Sequence, residues 1–185
     1  IPAYFLSALW MNIPVWVYIL VIIAAFAQVA GWIYMAGLIK NQNAIFKSPF
    51  SVTAKWLLGL AAIALTIKLL LQLGSTIPSL STLAFGFRPI VIGYLHLVLL
   101  GVITLFLIGF MFAANFIAIN KKATAGAGIF AAGIIINEVF LMTQGVGALD
   151  YINIPYINTA LLVAAVIMFA GLLLLNISQQ NKLQK

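Results

Sequence analysis

The sequence predicts an all-α fold, a polytopic bundle of five membrane-spanning helices forming one integral membrane domain over residues 1–185. Three observations predict it. Hydrophobic residues make up 65% of the chain and charged residues 6%, with a mean hydropathy of +1.23, more apolar surface than a soluble domain of this size can hide. Several uninterrupted apolar runs exceed the ~18 residues that cross a bilayer. Those runs lack the two-residue alternation of short polar and apolar positions that marks a membrane β-barrel.

Taken in order, residues Ile1 to Asn12 carry Tyr4, Phe5, Trp10 and Met11, an interfacial composition. The chain opens in the middle of an apolar segment, with no charged n-region and small-residue cleavage site, so a longer polypeptide is expected. The first span runs over about 13–38, with Pro14 in its first turn and Ala24, Ala27 and Gly31 available for close packing. A polar loop through Ser48-Pro49 follows, then a second span over 54–73 with Lys68 inside its apolar run. Gly74 to Thr82 is rich in helix breakers and reads as a loop. The third span, 89–119, opens at Arg88-Pro89 and is long enough to tilt. After a turn at 120–124 the fourth span covers 125–142 and carries Asn137-Glu138. A glycine-containing loop leads to the fifth span, 155–177, and a polar tail.

Composition also excludes functions. With no cysteine there is no disulfide, thiolate metal site or iron–sulfur cluster. One histidine and two acids rule out a zinc, di-iron or paired-carboxylate site built from this chain alone. The net charge of +7 comes from lysines flanking apolar runs, the pattern of a membrane protein and not of a nucleic-acid surface. Lys40, Lys47, Lys55, Lys121, Lys122, Lys182 and Lys185 fall on one side of the membrane and only Arg88 on the other, seven against one. That asymmetry predicts a cytoplasmic C-terminus, with a bacterial inner membrane as the expected location.

Three ionisable residues remain inside the spans. At 1.5 Å per residue, Lys68 lies roughly 9 Å below the outer end of its helix and His96 about 10 Å below Pro89. Glu138 lies ~6–12 Å down, depending on whether Gly145-Val-Gly belongs to the helix. A lone charge at the centre of a membrane helix costs ~2.5–3.5 kcal/mol or more, so mutual satisfaction is expected. One reading is a Lys68–Glu138 ion pair with His96 hydrogen-bonded nearby, holding the bundle together. The other is a cofactor or proton site served by the same three residues. The residue types weigh equally for both.

The stretch Tyr94-Leu-His-Leu-Val-Leu-Leu-Gly101, leading to Phe106 and Gly109-Phe110, resembles the tenth helix of haem-copper oxidase subunit I, a superfamily that includes nitric-oxide reductases. The five spans would then match helices eight to twelve of a twelve-helix bundle. Leu83-Ala-Phe-Gly-Phe-Arg-Pro-Ile-Val91 before Tyr-Leu-His-Leu is also similar to phrases in divergent bacterial members, often labelled β-carotene monooxygenases. The resemblance implies a respiratory, electron-transferring membrane protein with haem on His96, Arg88 and Lys68 near the propionates, and other respiratory subunits as partners beside membrane lipid. In the family this helix carries a His-x-His pair whose first member binds the catalytic haem and whose second binds the low-spin haem. Here Tyr94 stands at the first position. Tyrosine can ligate haem iron, so Tyr94 joins His96 and Arg88 as a cofactor-binding candidate, while terminal oxidase activity is not implied.

The competing reading is a cofactor-free membrane subunit or transporter with Lys68, His96 and Glu138 as a structural or proton-carrying network. A transporter would show helices broken at mid-membrane. A non-haem iron oxygenase needs several histidines or carboxylates, more than this chain holds.

Overall fold

A computed structural model describes residues 14–41 and 50–183; the interfacial N-terminal segment, Lys47 and Lys185 lie outside the described residues. Apart from short connections, the described chain is helical, and no strand occurs among the described residues. We number the helices α1 (Val15–Asn41), α2 (Val52–Gly74), α3 (Pro78–Gly86), α4 (Arg88–Ala113), α5 (Lys121–Leu149) and α6 (Ile157–Leu183). All but α3 are long and apolar enough to cross a membrane, five candidate spans in an all-α bundle. Loops are short, so successive spans run antiparallel.

The core lies where α2, α4 and α5 meet. Ala54, Leu57 and Ala61 of α2 pack with Leu105, Ile108 and Phe112 of α4 and with Ala127, Phe130, Ala131 and Ile134 of α5. Phe112 and Leu57 are fully buried. On α1 only Val21 and Ala25 are buried, and the helix is tied to α2 by Trp32 Nε1 donating to Thr66 Oγ1 at 2.9 Å and to the turn after α2 by Tyr18 Oη donating to the Thr76 carbonyl at 2.6 Å. Much of α1 and α6 is apolar and exposed, Ile33, Tyr34, Leu162 and Phe169 among the residues concerned, as expected of helices facing lipid or further helices.

The α5–α6 crossing is a backbone-on-backbone contact. A Cβ built on Gly171 would lie 2.5 Å from Phe130 N, and one on Gly126 2.7 Å from Leu175 N. Without a hydrophobic drive between helices in lipid, such small-residue approaches supply the packing. At one end of this seam Gln179 Oε1 accepts from Ala118 N at 2.7 Å and Asn120 Nδ2 donates to the Ser178 carbonyl at 3.3 Å.

Several bounds differ from the sequence expectation. Helix α4 stops at Ala113 and not near residue 119, because Asn115 takes φ 59°. Asparagine tolerates that left-handed geometry at a helix end, and Phe116 N then donates back to the Met111 carbonyl at 2.9 Å. Helix α5 starts earlier than 125, since Asn120 caps it by accepting from Ala123 N at 2.7 Å. It also runs on to Leu149 and not 142. Gly145 and Gly147 are packing residues there, seated against Ile90 and Ile154. The expected loop at 74–82 contains the start of α3, with Pro78 in its first turn. Within α4, Leu97–Thr104 is a π-helical stretch, and Thr104 Oγ1 donates to the Leu99 carbonyl five residues back at 2.8 Å.

Candidate functional site

The site begins with His96, the residue at which α4 passes into its π-helical stretch. Such stretches are uncommon and frequent at functional sites. The ring Nδ1 lies 2.9 Å from the Ile92 carbonyl. A carbonyl oxygen only accepts, so Nδ1 carries the proton and donates. In the neutral ring Nε2 is then the bare, basic nitrogen.

Two close contacts fix the register of α4 against α5: Gly93 meets Leu141 at 3.5 Å and Gly145 meets Ile90 at 3.2 Å, measured from the position of a Cβ. Running antiparallel from those contacts sets His96 at the level of Glu138. On the other side, Gly101 meets Ala64 and Gly109 meets Leu57, both at 3.2 Å, which brings Lys68 to the level of Leu97. The three ionisable groups thus occupy one level of the bundle. Relative to its own helix end Glu138 is deeper than the shorter expected helix implied, 11 residues from Leu149 or about 16 Å.

Sharing a level does not make them a closed network. Lys68 Nζ turns along its own helix and donates to Gln72 Oε1, a residue four positions on and on the same face. The expected Lys68–Glu138 ion pair is not formed. Both Glu138 oxygens are buried and accept no hydrogen bond, and the neighbouring Asn137 Nδ2 is likewise buried without a partner. An unsatisfied buried polar atom is costly, and here three of them lie on two successive residues of α5. Asn137 is buried because it faces inward on α5.

The remaining candidates stand apart. Tyr94 is half-buried but sits two residues from His96, about 200° around the helix, so one ligand face cannot take both. Arg88 is exposed at the mouth of α4, eight residues from His96. Beyond His96, Leu99, Ile103 and Leu107 recur every four residues along α4 and are all exposed. Among the described residues no group of three or more histidines, cysteines or acids is placed to hold a metal ion.

Chemically, the arrangement offers one imidazole nitrogen able to ligate or accept a proton, and one carboxylate with unused acceptor capacity. Comparison with known proteins finds no matching family model, no matching curated protein and no matching solved structure. The chain's several long apolar helices are compatible with an integral membrane protein.

Proposed function

We propose that this chain is the C-terminal membrane part of a haem-binding, electron-transferring protein of the haem-copper oxidase type, with His96 supplying an axial ligand to the haem iron. The supporting observation is the orientation of the ring. A histidine that donates Nδ1–H to a backbone carbonyl has its tautomer fixed and Nε2 free, the arrangement metal-ligating histidines share. The donor set fits one axial position. Leu99, Ile103 and Leu107, exposed further along the same helix, supply apolar surface for a macrocycle. Haem, when bound, supplies one-electron chemistry; this chain's part is to hold the iron through His96 and to exclude water with that surface. Tyr94 at the position of the family's other histidine argues against an oxygen- or nitric-oxide-reducing centre. The lysine-bearing ends, with Lys40, Lys121 and Lys122 exposed, are assigned to the cytoplasm and the membrane to a bacterial inner membrane.

Visible spectra of the purified full-length protein, oxidised and dithionite-reduced, test this. A Soret band lost in His96→Ala is expected, and a colourless protein refutes it. A second reading, a cofactor-free proton-carrying site, is favoured by the unpartnered Glu138 oxygens, since ionisable groups kept in the membrane interior are characteristic of proton pathways. In that case the protein is colourless and Glu138→Gln abolishes proton flux in proteoliposomes.

A further inference from the structure

The connection between α5 and α6 carries two tyrosines on a left-handed backbone, Tyr151 with φ 56° and Tyr156 with φ 61°. In that conformation a Cβ crowds the following carbonyl, so glycine, asparagine or aspartate usually fills it and a bulky side chain is an outlier. At Tyr151 the geometry is that of a helix cap. Tyr151 N donates to the Ala148 carbonyl at 3.2 Å and Ile152 N to the Gly147 carbonyl at 2.8 Å, the paired bonds that close a helix over one left-handed residue. Helix α4 ends in the same pair of bonds, with Asn115 in the left-handed place. Tyr156 stands at the other end of the loop, where its carbonyl accepts from Ala160 N at 3.0 Å and opens α6.

The rings do little for the fold. Tyr151 is 88% exposed and Tyr156 84%, and among the described residues neither hydroxyl joins a hydrogen bond. Tyr151 has one ring contact, edge-to-face with Phe87 at 5.9 Å. Backbone strain of this kind persists where the side chain has a task. Both tyrosines lie in a connection between two candidate spans, at the edge of the apolar layer. Ile152 between them, and Ile77 and Leu80 in the connection from α2 to α4, are exposed as well. These two connections, residues 74–88 and 149–157, contain one cation, Arg88, and one acid, Asp150. Lys40, Lys55, Lys121 and Lys122 stand at the other end of the spans. Net charge therefore gives this end no hold on a bilayer, whereas amphipathic rings do.

We propose that the loop of residues 150–156 is an interfacial anchor, seated in the phospholipid headgroup layer through the rings of Tyr151 and Tyr156. Each ring lies against the glycerol and upper acyl region while its hydroxyl reaches phosphate and water. The left-handed backbone is kept at both positions because it turns the rings toward lipid. The proposal rests on reading the five long helices as membrane spans.

The chain has no cysteine, so Ile152→Cys in the full chain places a single spin label between the two tyrosines. In phosphatidylcholine vesicles, its relative collisions with oxygen and with a water-soluble nickel complex give its depth. The label should lie in the headgroup layer. Tyr151→Gly with Tyr156→Gly should move it outward by roughly 5 Å or more, the scale of burial at that boundary, and Tyr151→Trp with Tyr156→Trp should hold it in place. Glycine relieves the backbone at both positions, so the glycine variant should keep its helical circular dichroism and unfold in detergent at no lower temperature. A label found in water in the presence of both tyrosines, which would leave the rings to a soluble partner, overturns the proposal. So does a depth indifferent to the glycine variant, or a thermal midpoint that falls with it. A chain that fails to enter the vesicles overturns the membrane reading itself, and the proposal with it.

Discussion

Replacing Gly171 with alanine tests the α5–α6 seam directly. The added Cβ would sit 2.5 Å from Phe130 N, 2.8 Å from Phe130 Cα and 2.9 Å from the Gly126 carbonyl oxygen. Ordinary contact begins near 3.4 Å, so the helices must part by 3.4 − 2.5, or about 0.9 Å. Every neighbour is backbone, and no side-chain rotation can absorb the shift. Overpacking of this kind costs ~1–3 kcal/mol. Alanine also has a helix propensity better than glycine's by ~0.8–1.0 kcal/mol, which offsets part of the loss. Gly128, on the same helix as Gly126, supplies the control: a Cβ there meets nothing within 4 Å. Gly128→Ala gains the propensity and suffers no clash. Because the propensity term is common to both variants, the difference between them isolates the clash at ~1–3 kcal/mol. Reversible unfolding in mixed micelles, followed by circular dichroism, measures it. Equal stability of Gly171→Ala and Gly128→Ala would refute a seam made of touching backbones.

Two further outcomes follow from named partners. Glu138→Leu should raise the stability of the cofactor-free protein by ~1–3 kcal/mol, since it removes buried oxygens that accept nothing; a drop in thermal midpoint would show that the carboxylate is satisfied in the membrane. Gln179→Ala leaves Ala118 N without its 2.7 Å acceptor, a loss of ~1–3 kcal/mol. It should speed hydrogen exchange at Ala118 while leaving the amides around Tyr94 protected, and uniform exchange across the chain would count against it.

Much of this architecture is written in the hydropathy, because a span is a property of twenty residues and survives errors at its ends. The ends themselves are set by single side chains. Asn115 breaks α4 without glycine or proline, and Asn120, which reads as part of a turn, is the cap that starts α5. Gly145 and Gly147 read as loop residues because glycine marks turns, yet both are there to let Ile90 and Ile154 approach. At the site, counting residues along two helices suffices to put His96 and Glu138 at one depth. The partner of Lys68 is legible as well, since Gln72 is four residues on, but pairing charges by sign points to Glu138 instead. Which polar atoms stay unsatisfied depends on side-chain direction, and no periodicity carries that.

The π-helical stretch Leu97–Thr104 settles how α4 keeps one straight edge. Gly93, Leu97, Gly101, Leu105 and Gly109 recur every four residues, and all five are buried. In an uninterrupted α-helix each step of four overshoots a full revolution by about 40°, so the last of the five would lie roughly 160° round from the first. The looser winding takes up that overshoot. A strict four-residue rhythm of small and apolar residues is therefore a readable mark of local unwinding in a membrane helix. It also makes the length of this segment a constraint: removing one residue between Leu97 and Thr104 would turn Gly109 away from Leu57 while leaving His96 where it is.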